Sequence, residues 1–143
     1  MRFVCQNFGL SDLQRRGLTP QEAPLEALQL DIEAELAIWE QGRVVWSEGA
    51  FPVAELAYQL ALWLKDPAAD REDFALESMQ AEEGVIRIVN IGGGWRVGSN
   101  FTPNFWTSPV TWDVLVEAIR HFDRSVRAGV ASMGIEPSFL PEP

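Results

Sequence analysis

Lysine, histidine and cysteine each occur once, as Lys65, His121 and Cys5, and no segment approaches the roughly 20 apolar residues of a membrane-spanning helix. A lone cysteine excludes an intramolecular disulfide, so a reducing cytoplasm is the expected compartment. A lone histidine leaves little from which to build an imidazole-activated nucleophile or a histidine metal set. Residues 1–10 lack the long apolar run of a secretory signal. Base is scarce as well: 11 Lys and Arg stand against 21 Asp and Glu, for a net charge of −10 and an isoelectric point near 4.5. Such a chain repels free nucleic acid and anionic membrane surfaces, which leaves protein partners as the expected class. All the bases except Lys65 are arginine.

Cofactor motifs are missing too. Gly92-Gly93-Gly94 precedes Trp95, but dinucleotide and phosphate loops open a helix after a strand, whereas this run joins two strands and reads as a hairpin turn. Asp70, Glu72 and Asp73 cluster without the spacing of a calcium loop. No cofactor or metal is expected. An enzyme would have to rest on isolated residues such as Glu55, His121 or Ser99, so the expectation is a non-enzymatic protein.

What is present is 47% hydrophobic residues in 143, enough for the core of one domain spanning 1–143. Between residues 28 and 39, Leu28, Leu30, Ile32, Ala34, Leu36 and Ile38 alternate with Gln29, Asp31, Glu33, Glu35, Ala37 and Trp39. Period two predicts a strand with one aliphatic face and one acidic face, as in an antiparallel sheet covered on one side. Glu40-Gln41-Gly42 predicts a tight turn and 43–48 a returning strand. Pro52 opens a helix over 52–65, with Val53, Leu56, Ala57, Leu60 and Leu64 at helical spacing. Strands are predicted over 74–79, 85–91 and 95–99, and Asn100 to Pro109 forms an aromatic loop. Thr111 caps a second helix to about Ala131. Thr19 and Pro20 start a short helix within an N-terminal segment 1–27, and 132–143 is a tail. The expected fold is therefore α+β: an antiparallel sheet of about five strands in the order ββαβββα, with two main helices packed on one face.

Arg120, Arg124 and Arg127 share a stripe of the second helix. Glu117 and Asp123 precede them at pairing distance, so a charge-laced exposed face outweighs an anion site. Asp31 and Glu33, two apart on a strand face, stand about 7 Å from each other, but an exposed strand offers no pocket to raise one carboxyl's pKa. The six tryptophans carry more information. Trp46 and Trp112 have the period of core residues, whereas Trp39 lies on the acidic face and Trp95 and Trp106 flank the loop after the last strand. Aromatics so placed are enriched at binding hot spots.

The stretches Trp46-Ser47-Glu48, Phe51-Pro52-Val53-Ala54-Glu55-Leu56, Trp63-Leu64, Ser78 to Gly84 and Gly94 to Ser99 together resemble a family of small, uncharacterised bacterial domains. They also resemble, more loosely, the single-domain acidic immunity proteins that accompany secreted polymorphic toxins. The latter resemblance implies a cytoplasmic binding protein that neutralises a basic toxin domain by occluding its active site. On that reading the partner-binding residues are Asp31, Glu33 and Glu35 for charge and Trp39, Trp95 and Trp106 for anchoring. The alternative is a small-ligand or peptide-binding module with a pocket near the Gly94–Trp106 segment.

Overall fold

A computed structural model of the chain describes residues 1–10, 13, 15–19, 22–24, 27–28, 31–66, 72–78, 82 and 84–143. Strands β1 (Arg2–Gly9), β2 (Glu33–Glu40) and β3 (Arg43–Phe51) form one antiparallel sheet, sheet A, in the order β1-β2-β3. Helix α1 (Val53–Lys65) follows. Strands β4 (Phe74–Ala75), β5 (Arg87–Ile91) and β6 (Gly94–Gly98) form a second antiparallel sheet, sheet B, and helix α2 (Trp112–Ser132) precedes a short 3-10 turn, Pro137–Phe139.

The α+β class and the two helices agree with the sequence. The single five-stranded sheet does not: there are two three-stranded sheets, and β1 was not anticipated. Of β1 only Phe3 is buried, so the strand carries no alternation to read. Its pairing with β2 supplies the ladder instead, with Phe3 opposite Ile38 and Cys5 opposite Leu36.

The predicted strand over 28–39 starts late. Leu28 and Asp31 are helical, and the Ile32 N–H donates to the Leu28 carbonyl at 3.0 Å. Leu28 and Ile32 are both buried, and a spacing of four suits a helical face as well as a strand face. Gln29 and Leu30 of that stretch lie outside the described residues, as do Pro20, Gln21, Asp70, Met79 and Glu83. At the predicted short helix Glu22 is a turn residue, and the Thr19 hydroxyl and N–H both donate to Glu22 Oε1, at 2.7 and 3.2 Å.

From Glu33 onward the alternation holds, with Ala34, Leu36 and Ile38 buried. Glu40 and Arg43 close a two-residue turn whose Gln41 and Gly42 take φ of 52° and 77°, the left-handed pair that matches the twist of a hairpin. The Gly92-Gly93 turn between β5 and β6 has the same form, with φ of 61° and 87°. Thr111 caps α2, its hydroxyl accepting from the Val114 N–H. Leu115, Ile119, Phe122 and Val126 of α2 are buried, and the helix packs on β1 and α1.

Phe3 of β1 meets Phe122 of α2 at 5.6 Å between ring centroids. Sheet B joins the same core through an aromatic cluster: Trp63 of α1 lies 5.6 Å from Trp95 of β6 and 5.6 Å from Trp112 of α2. The helices therefore cover the inner face of sheet A and leave its outer face to solvent. Arg127 departs from the expected exposed stripe. It bonds Asp123 Oδ2 at 2.8 Å and donates to the carbonyls of Leu140 and Pro141, tying the C-terminal segment to α2. Arg124 pairs with Glu117 in solvent.

Candidate binding face

The outer face of sheet A follows from strand parity. With Ala34, Leu36 and Ile38 pointing inward, Glu33, Glu35, Ala37 and Trp39 point outward along β2. Cross-strand pairing sets Gln6 beside Glu35, Val4 and Ser47 on either side of Ala37, and Arg2 and Val44 on either side of Trp39. The small Ala37 side chain leaves a shallow trough of about 400 Å³, lined by Val4, Glu35, Ala37, Trp39, Ser47 and Glu48. Glu35 is exposed but held in place. Its carboxylate accepts from Asn7 Nδ2 at 2.8 Å and from Gln6 Nε2 at 3.4 Å. Asn7 reaches it from a bulge in β1, where its φ of 58° lies in the left-handed region that asparagine tolerates.

Three of the six anticipated binding residues, Glu33, Glu35 and Trp39, therefore share one face. The other three do not join them. Asp31 is only 6% exposed, and its Oδ2 accepts the Leu13 N–H at 3.0 Å, so its carboxylate organises the chain before β2. Its even spacing from Glu33 is real, but Asp31 is helical and lies before β2. Trp95 is 8% exposed and packs 5.2 Å from Trp112. Together with buried Val97 it shows that the odd positions of β6 face inward. Trp106 is half-buried with its indole laid over Gly98.

A second concavity lies beside residues 99–105, part of the Gly94–Trp106 segment near which the alternative sequence reading set a pocket. A groove of about 650 Å³ runs between β3 and the 99–105 loop. Its rim carries Val44, Phe101 and Phe105, which are 45%, 54% and 58% exposed. The far wall is built firmly. The Thr102 N–H bonds the Ser99 carbonyl and the Phe105 N–H bonds the Thr102 carbonyl. Thr107 then bridges to Val97 through both its N–H and its hydroxyl. The Ser108 N–H donates to both carboxylate oxygens of Glu40, at 2.8 and 3.0 Å, which fastens this loop to the β2–β3 hairpin.

Residues 9–132 match the family model described as a domain of unknown function, DUF7878. The chain belongs to the DUF7878 family. The matched span runs from the last residue of β1 to the last residue of α2, so it contains Glu33, Glu35, Trp39 and the whole groove. No curated protein and no solved structure matches the chain.

Burial pushes the Cys5 thiol up to about 11, so it stays protonated and unreactive at neutral pH. The buried Glu55 accepts from the Ser78 hydroxyl at 2.5 Å; burial raises its pKa, and the Ser78 bond partly offsets the rise. His121 lies beside Met1 and Asp113 in a separate recess. Among the described residues no group of three or more His, Cys, Asp or Glu side chains is placed to hold a metal ion, and no helix is long and apolar enough to cross a membrane.

Proposed function

We propose that this DUF7878 chain is a non-enzymatic binding protein of a reducing, cytoplasmic compartment that docks a basic protein partner on the outer face of sheet A. The observation that carries the reading is the pre-positioned Glu35 carboxylate on an uncovered sheet face beside Trp39. A net charge of −10 steers a basic partner toward such a face, and a half-buried tryptophan supplies contact area that slows release. A toxin domain with a basic active-site cleft, occluded by this face, is the partner class that best suits an acidic, single-domain binder.

The test is a pull-down with the tagged chain from its source cells, with partner identification followed by kinetics on the recovered protein. Glu35→Lys is expected to slow association, and Trp39→Ala to speed dissociation, each by roughly tenfold. Unchanged kinetics in both variants, or recovery of no protein in stoichiometric amount, would remove the reading. The groove beside β3 favours a second reading, a peptide-binding module.

A further inference from the structure

Five consecutive residues of β3, Val44 to Glu48, line the groove. Successive strand residues point to opposite faces, so an unbroken run can line a groove only if the groove lies along the strand's edge. β3 is an edge strand, paired among the described residues with β2 alone. In an antiparallel ladder alternate backbone N–H and C=O groups point away from the partner strand, and along Val44–Glu48 those groups find no backbone partner among the described residues. The opposite wall offers the rings of Phe101 and Phe105, and Thr102 there keeps its hydroxyl oxygen enclosed without a hydrogen-bond partner among the described residues.

Arg43 begins β3 just outside the groove, but the charged residues that line the groove are acidic. Glu48 and Glu82 line the groove, and among the described residues no Lys, Arg or His does. A second copy of the chain would bring −10 against −10, so net charge opposes the pairing of two copies at this edge. An extended segment with basic side chains meets the opposite situation. From these observations we infer that the groove receives an extended, basic segment of a protein partner, which adds as a strand to the free edge of β3 with apolar side chains against Phe101 and Phe105 and basic ones toward Glu48 and Glu82. Main-chain hydrogen bonds then give affinity, and the alternating pockets give selectivity. This inference rests on the proposed role in protein binding and names the partner's local chemistry.

The full-length chain is titrated with three synthetic heptapeptides and followed by amide NMR. One alternates Lys with Val, the second carries Glu in place of Lys, and the third is the Lys peptide N-methylated at alternate residues, which removes one edge's donors. Expected are shifts at Val44–Glu48 and Phe101–Phe105 with the Lys peptide, no binding of the Glu peptide, and about tenfold weaker binding after N-methylation or in Glu48→Lys. Equal binding of the methylated peptide would overturn strand addition. Shifts confined to Val4, Glu35, Ala37 and Trp39 would overturn the groove assignment while leaving the sheet-face reading intact. No shift anywhere at millimolar peptide would overturn the inference, and the pull-down decides the sheet-face reading separately. Sedimentation showing a dimer that is lost in Glu48→Lys would also overturn it.

Discussion

The far wall of the groove depends on one close approach, and Gly98→Ala tests it. A Cβ at position 98 would sit 2.6 Å from both Cγ and Cε2 of Trp106, and closer still to Cδ2. Real carbon contacts are longer, so the indole or the β6 backbone must move. The φ of Gly98 is not in the left-handed region, so alanine adds no backbone strain and the clash acts alone. Overpacking of this kind costs about 2 kcal/mol. At roughly 3–4 °C per kcal/mol for a chain of this size, the melting temperature should fall by about 7 °C. The assay is urea and thermal unfolding of Gly98→Ala, Trp106→Ala and the double variant. In the Trp106→Ala background the obstacle is gone, so Gly98→Ala should cost less than about 0.5 kcal/mol, leaving a coupling near 1.5 kcal/mol. Equal costs in the two backgrounds would show that the indole is not what fills this space, and the account of the loop wall would fall with it.

Two further predictions concern buried carboxyls. Asp31→Ala should lose about 1–3 kcal/mol in urea unfolding by leaving the Leu13 N–H unpaired, while partner association rates stay as in the parent chain; an altered association rate at unchanged stability would return Asp31 to the binding face. Burial raises the Glu55 pKa above its ordinary value near 4.5, so its neutral form favours the fold. That contribution is complete below the unfolded value and is lost as pH rises through the folded one. Glu55→Gln should therefore gain stability over the parent chain from about pH 4.5 upward, and parallel stability–pH curves for the two would contradict this.

How far the fold could be read from the chain varied with how strongly burial was written into it. β2 was legible from Glu33 because three consecutive inward positions, Ala34, Leu36 and Ile38, are buried to within 1%. The stretch just before it was not, since Leu28 and Ile32 satisfy strand and helix spacing alike and only the Ile32-to-Leu28 hydrogen bond decides between them. β1 hides for the opposite reason: one buried residue, Phe3, in eight gives no period at all. The division into two sheets is a matter of which strands pair, and pairing partners leave no trace in local periodicity.

The candidate site divides along the same line. That Glu33, Glu35 and Trp39 share a face is legible because strand parity alone fixes it, whereas Asp31 keeps the parity and lies outside the strand. Trp95 was misassigned although its neighbours held the answer: Trp95 and Val97 alternate with Arg96, the mark of an inward-facing set on β6. The groove needed information of another kind. Phe101 and Phe105 are conspicuous in the sequence, but a groove arises only when another element lies opposite them, and among the described residues the outer edge of β3 is open because β4–β6 pair with one another instead of extending sheet A. Two sheets rather than one are what create an unpaired β3 edge facing a fixed aromatic loop, so the feature the sequence misjudged in the fold is also the one that makes the groove.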